Sequence, residues 1–238
     1  MTESLTGRVG RRVFLKVTGW AALAASVPSW AWSYFVEGLQ VRTVENDTFR
    51  FSPETGSVRW TEKKKEEPYY LTIDGLVEKP VKLSYGKLKA LPQIHQSSDF
   101  HCVEGWSVKD VRWGGIRFKE VMNKIKVKPE AKYVVFHSLG TTGSPAGGID
   151  HYIESFSIEE LLDPKKECLL ALSLDNKPLL HDHGAPLRVV SPYDLAYKSC
   201  KFVRRIEFTT KREPGWWTKA NPGYPSEAPV PESRLRKK

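Results

Sequence analysis

Proline and glycine recur so often along this chain that a helix-only architecture is not expected. There are 16 prolines and 17 glycines among 238 residues. Proline removes a backbone donor, and interior glycine weakens a helix by about 1 kcal/mol. Between these breaks lie short apolar runs rich in β-branched and aromatic residues. Tyr69–Pro80 (YYLTIDGLVEKP) reads as a strand, an Asp74–Gly75 turn and a second short strand. KYVVF, CLLALSL (ended by Asp175–Asn176), LRVVS and FVRRIEF read as further short strands, the first two buried.

Helical signals are brief. Ser84–Leu91 reads as a short helix closed by Pro92, and Phe118, Val121, Met122 and Ile125 fall at helical spacing. Ser157 and Glu160 form a capping box that opens a helix over Ile158–Leu162. Pro53–Pro68 reads as a charged, turn-rich approach segment, and the motif around Cys102 as one placed after a loop. No internal repeat is present. The expectation is an α+β, β-rich single domain over residues 37–212, with mixed sheets and short helices. Residues 213–238 are expected to be an extended tail, pinned through Trp216 and Trp217, with a solvated basic end.

The net charge of +9 is concentrated at the ends. Arg8, Arg11, Arg12 and Lys16 stand against Glu3, and Arg234, Arg236, Lys237 and Lys238 against Glu232, which leaves a mildly basic body. No interleaving of basic and aromatic residues points to nucleic acid. A body of this charge suits an anionic ligand as well as an ordinary solvated surface. Three cysteines (Cys102, Cys168 and Cys200) do not make a disulfide framework, and no structural disulfide is expected.

The N-terminus carries an address. Arg11-Arg12-Val13-Phe14-Leu15-Lys16 resembles a twin-arginine export motif, with Gly10 where Ser or Thr is usual. Twenty uncharged residues follow, Val17–Val36. Residues 1–36 are read as a twin-arginine signal, cleaved after Ser29-Trp30-Ala31 or retained as a membrane anchor. Export of an already folded protein implies a cofactor inserted beforehand, and a periplasmic location.

Two stretches carry chemistry. Ser98–Ser107 (SDFHCVEGWS) holds one isolated thiol. From its residues alone Cys102 fits a metal ligand or a packed core thiol, and a nucleophile less well. Leu179–Phe208 holds His181 and His183, too few for a zinc site. Farther along it, Arg188 offers a planar fork for a phosphate. Lys201 and the backbone N–H groups near Ser199 offer an oxyanion cradle. These cations sit in apolar strand sequence, where an unpaired charge is costly.

Taken together, HCVEGWS and HGAPLRVVSP…YKSCK resemble the sulfite-oxidase-like molybdopterin oxidoreductases over residues 45 to 225. The resemblance is nearest to the branch that contains the catalytic subunit of the periplasmic methionine-sulfoxide reductase. It implies the sulfite-oxidase-type molybdopterin-binding fold and a molybdenum–molybdopterin cofactor. By that likeness Cys102 is the thiolate ligand of molybdenum, beside the dithiolene sulfurs and oxygen ligands. Arg188, Ser199, Cys200 and Lys201 hold the pterin and its phosphate. Ser138 lines the cofactor site, His183 stands where the branch usually has asparagine, and Asn46, Phe49 and Arg50 lie near the pterin.

His101 replaces an arginine common before the cysteine. It is expected to act in catalysis as a titratable neighbour of the metal, so that His101→Arg would flatten the pH profile near neutrality. The implied reaction is oxygen-atom transfer to or from a small substrate. Sulfite oxidases place several arginines at the metal, whereas here His101, Lys109 and Arg112 are the main basic residues near Cys102. They also carry a haem-binding domain or a long C-terminal dimerisation domain, neither of which is expected here. The preferred reading is therefore a reductase of S-oxides or N-oxides fed by a separate redox partner, such as a membrane cytochrome. The alternatives are sulfite oxidation, or an exported anion-binding protein without catalysis.

Overall fold

The computed structural model describes residues 44–236. The expected export segment and Lys237–Lys238 lie outside the described residues. In chain order the elements are β1 (Phe49–Ser52), β2 (Ser57–Trp60), β3 (Lys65–Pro68), β4 (Tyr70–Gly75), β5 (Val81–Ser84), α1 (Tyr85–Lys89) and β6 (Ile94–His101). Then come β7 (Ser107–Ile116), α2 (Phe118–Met122), β8 (Tyr133–Ser138), β9 (Ile153–Ser157) and α3 (Ile158–Leu162). The last are β10 (Leu169–Leu174), β11 (Lys177–Pro178), β12 (Arg188–Val190), β13 (Val203–Thr209) and α4 (Trp216–Ala220).

They form three sheets. One runs β5-β4-β13-β8-β9, a second runs β11-β10-β7-β6 with β12 paired to β10, and a third is the small meander β1-β2-β3. Among the described residues only β4 and β13 pair in parallel. Here Gly75 adopts φ +81°, and a Cβ on it would stand 2.4 Å from the Phe208 carbonyl oxygen, so only glycine fits. Leu71, Ile73, Phe136, Ile206 and Phe208 are fully buried in one core. Each such side chain contributes about 1.5–3 kcal/mol on burial. The Ser157 capping box forms as its spacing requires.

Three stretches differ from the sequence expectation. Residues 53–68 are not an approach segment, because Ser57–Trp60 and Lys65–Pro68 pair as strands in the meander. The Cys102 motif does not follow a loop: it is the tip of the β6–β7 hairpin. Its strand IHQSSDFH carries polar residues where a buried face is usually apolar, which hides it from pattern reading. The tail, in turn, is held to the body at several points, although Pro231–Ser233 and Arg236 remain exposed. Trp216 packs against Tyr152 and donates to Thr142 Oγ1 (3.2 Å). Lys198, paired to Glu154 in the core (2.5 Å), also donates to the Ser226 carbonyl (2.7 Å). Arg234 and Arg236 bind the β6–β7 hairpin. No helix among the described residues is long and apolar enough to cross a membrane.

Candidate active site

Two arms of the chain meet at a cavity of about 390 Å³. The first arm is the tip of the β6–β7 hairpin. Cys102 N–H donates to the Trp106 carbonyl (2.9 Å) and Gly105 N–H to the Cys102 carbonyl (3.2 Å), which closes a tight loop. Gly105 sits at φ +97°, a backbone state that glycine adopts without cost. Strand alternation then turns Phe100 and Cys102 to the cavity and His101 to the opposite side.

His101 is 2% exposed and its Nδ1 meets Ser107 Oγ at 2.8 Å. Burial pulls its pKa down, and Arg234 and Arg236 push the same way while Asp99 opposes them. His101 is therefore neutral at neutral pH and does not line the cavity. The geometry gives no support to a titrating His101 beside the metal.

The second arm runs from the 3-10 turn His181–His183 to Lys201. Gly184 follows at φ +97°, and a Cβ there would stand 2.9 Å from Lys201 Cβ, so the close approach of these two segments depends on glycine. Arg188 opens β12, and its fork ties the arm together. Nη1 donates to the His183 carbonyl (3.0 Å), Nη2 to the Ser199 carbonyl (3.2 Å) and Nε to the Val189 carbonyl (3.3 Å). Its guanidinium also lies over the rings of Phe100 and Trp113. Lys201 Nζ donates to the Asp182 carbonyl (3.1 Å).

Both cations are buried, at 3% and 7% exposure, and among the described residues neither makes an ion pair. Burial pulls Arg188 down to about 10 and Lys201 down to about 8. Glu45 on the same wall favours the charged form of both, and two desolvated cations against one carboxylate still suit an added anion.

Of the expected residues, Cys102, Arg188, Ser199 and Lys201 are brought together on the cavity wall. Cys200 is buried behind it, and burial raises its thiol pKa. Ser138 is also behind the wall, accepting from Tyr152 N–H (3.1 Å). His183 is buried and joins through its carbonyl. Asn46, Phe49 and Arg50 do not line the cavity. Asn46 donates to Thr141 Oγ1 and to the Thr142 carbonyl, Phe49 is in the core, and Arg50 pairs with exposed Asp47.

Sequence reading missed the aromatic wall of Tyr152, Tyr197, Trp217 and Tyr224, and also Glu45. The only available signal was the density of aromatic residues in the GWW and GYP segments of a tail otherwise poor in apolar residues.

A profile of the oxidoreductase molybdopterin binding domain matches residues 58–217. The chain belongs to that family. As a member it is an enzyme that binds molybdopterin, and the unpaired buried cations suit the anionic end of such a cofactor. It is 37% identical over 159 residues to the uncharacterized oxidoreductase YuiH of Bacillus subtilis, spanning 63% of this chain and 73% of YuiH.

A second relative is the protein-methionine-sulfoxide reductase catalytic subunit MsrP of Gluconobacter oxydans. It is 32% identical over 163 residues, spanning 65% of this chain but only 51% of MsrP. The fold is shared with the sulfane dehydrogenase SoxCD of Paracoccus pantotrophus at TM-score 0.53 and 20% identity, covering 89% of this chain and 56% of that one. The fold expected from sequence, α+β of the molybdopterin-oxidoreductase type, is the fold observed.

Proposed function

We propose that this enzyme reduces S-oxides or N-oxides of small neutral molecules, using electrons from a separate redox partner such as a membrane cytochrome. Reduction of an S-oxide consumes two electrons and two protons and yields the sulfide and water. The observation that carries the direction is the charge of the wall around Cys102. Glu45 and Glu104 lie on it, together with an aromatic and aliphatic rim of Phe100, Val103, Trp106 and Trp217. Sulfite is an anion, and with Arg188 and Lys201 taken up by the cofactor's anionic end, the remaining charged side chains on the wall are these two carboxylates, which disfavour it. Arg112, the nearest candidate by sequence, instead pairs with Asp175 (2.6 Å), and neither it nor Lys109 lines the cavity. A neutral S-oxide loses little to these carboxylates and gains from the apolar rim. The relation to MsrP agrees with this direction.

When bound, molybdenum–molybdopterin supplies two-electron oxygen-atom transfer. The chain's own residues set up that chemistry. Cys102 Sγ is the protein's soft ligand for the metal. Arg188, Lys201 and the Ser199 segment hold the cofactor's anionic end. Tyr152, Tyr197, Trp217 and Tyr224 limit the access of water to the reacting atoms. Export by the twin-arginine route to the periplasm belongs to the same proposal, and the leader motif supports it. The experiment is a substrate screen of the purified enzyme. Reduced-dye oxidation by sulfoxides and N-oxides is compared with dye reduction by sulfite, and activity with sulfite alone overturns the proposal.

A further inference from the structure

The loop that carries Cys102 has little of its own to hold it still. It is a hairpin tip with two internal backbone hydrogen bonds and a long one from Trp106 Nε1 to Glu104 (3.4 Å), and its Val103 and Trp106 are 41% and 44% exposed. Tips of this kind sit at the weak end of local stability. Here a side chain from the other end of the chain reaches across it. Arg234 Nη1 donates to the Cys102 carbonyl (2.9 Å), and Nη2 donates to the Trp106 carbonyl (2.6 Å) and to Ser107 Oγ (3.0 Å). The guanidinium thus spans the first and last residues of the loop with a planar fork, which sets the loop's width.

Arg236 grips the same hairpin one step lower. There the ladder between Ser98 and Phe100 is irregular, and Asp110 sits at φ 58° opposite Asp99. Arg236 donates to both Asp99 oxygens (2.8 and 2.6 Å) and pairs with Asp110 (2.8 Å). A bulge of this kind aims the side chains that follow it, here Phe100 and Cys102. The segment carrying both arginines is anchored in turn. Val230 is buried, its N–H donates to the Tyr193 carbonyl (2.9 Å), and Leu195 N–H donates to the Ala228 carbonyl (2.8 Å). The two arginines are therefore presented from a fixed backbone.

We propose that Arg234 is a positioning residue for Cys102, and that residues 230–236 form a strap that locks the cysteine loop in the geometry the metal requires. The consequence for the metal rests on the reading of Cys102 as its ligand; the mechanical claim does not. Arg234 acts through the loop backbone and does not line the cavity.

The test uses the full-length protein, metal-free and loaded. Cys168 and Cys200 are buried and Cys102 is half-buried, so alkylation of the folded metal-free protein by iodoacetamide reports on Cys102. In Arg234→Ala we expect alkylation about tenfold faster, given the loss of three hydrogen bonds from a charged donor. Exchange of the Cys102 and Gly105 amides should accelerate with it. Arg236→Ala should give a smaller acceleration, about threefold, because its bonds lie outside the loop. Arg234→Lys should fall between wild type and alanine, since an ammonium cannot bridge both carbonyls.

In the loaded enzyme, Arg234→Ala should lower kcat with KM unchanged and shift the thiolate-to-metal absorption band. Unchanged alkylation and amide exchange in Arg234→Ala overturn the proposal. If that variant does not fold, the same null result in Arg236→Ala overturns it. Failure of the ligand reading shows separately: loaded Cys102→Ser protein whose thiolate-to-metal absorption band is unchanged sinks that reading whatever the alkylation rates are.

Discussion

The two arms of the cavity are built on opposite principles. The cationic arm is immobilised by burial. Arg188 and Lys201 are enclosed by core strands, and some of their donors tie them to the backbone of their own segment. The cysteine arm is a half-exposed hairpin tip, fixed by a side chain from the far end of the chain. The difference follows what each must bind. A large anionic cofactor needs a preformed desolvated cradle, whereas one thiol needs only its direction fixed.

Substitutions can break that contrast. The largest expected effect is Cys102→Ser, with activity reduced by more than about a hundredfold, since even partners outside the ligand set are worth about 10–100-fold. Its melting temperature should stay near wild type, because the side chain is not part of the core. Activity assay and thermal unfolding of one preparation check both halves. Arg188→Ala should do the reverse, lowering stability as well as cofactor content. It strips the His183 and Ser199 carbonyls of their donor, at about 1–3 kcal/mol; wild-type stability would show that the arm is not held by this fork.

Gly184→Ala comes next. Strain at φ +97° with the clash on Lys201 should cost about 1–3 kcal/mol. Cofactor retention should fall with it, as measured on protein purified in parallel with wild type.

The mildest effect is one of pH. Lys201 loses its proton as pH rises through about 8, so retention of an anionic cofactor should weaken across that range. The charges that bear on it are Glu45 and Asp182, which favour the proton, and Arg188, which opposes it. Stability of the cofactor-free protein should run the other way. Between about 8 and the ordinary lysine value the unfolded chain binds the extra proton, so stability rises with pH. Thermal scans of the cofactor-free protein, paired with cofactor-release assays, separate the two slopes. A flat retention profile would remove Lys201 from the cradle.

Much of this fold is legible in the sequence where local and tertiary signals agree. β8, β10 and β13 are apolar runs bounded by turn residues, and α3 announces itself through Ser157 and Glu160. β6 is not legible, because Gln96, Ser98 and His101 occupy half-buried or buried positions that a pattern reader expects to be apolar. Cys102, Arg188, Ser199 and Lys201 stand out by chemistry and do converge. The placement of His101 follows from alternation only after the hairpin is known. Trp217 reaches the wall only because α4 folds back over the body, where Trp216 stacks on Tyr152, a long-range contact that no local pattern encodes.

The tail's reach also bears on how the enzyme is made. The hydrogen bond from Arg234 to Cys102 closes a separation of 132 residues, and the bonds between Arg205 and Asp74, where β13 meets β4, close 131. Contacts this distant in sequence form late and slowly. During synthesis, the cysteine loop therefore emerges long before the residue that secures it. On the proposed role of Arg234, the cysteine loop is expected to reach its final form only after residue 236 has been made.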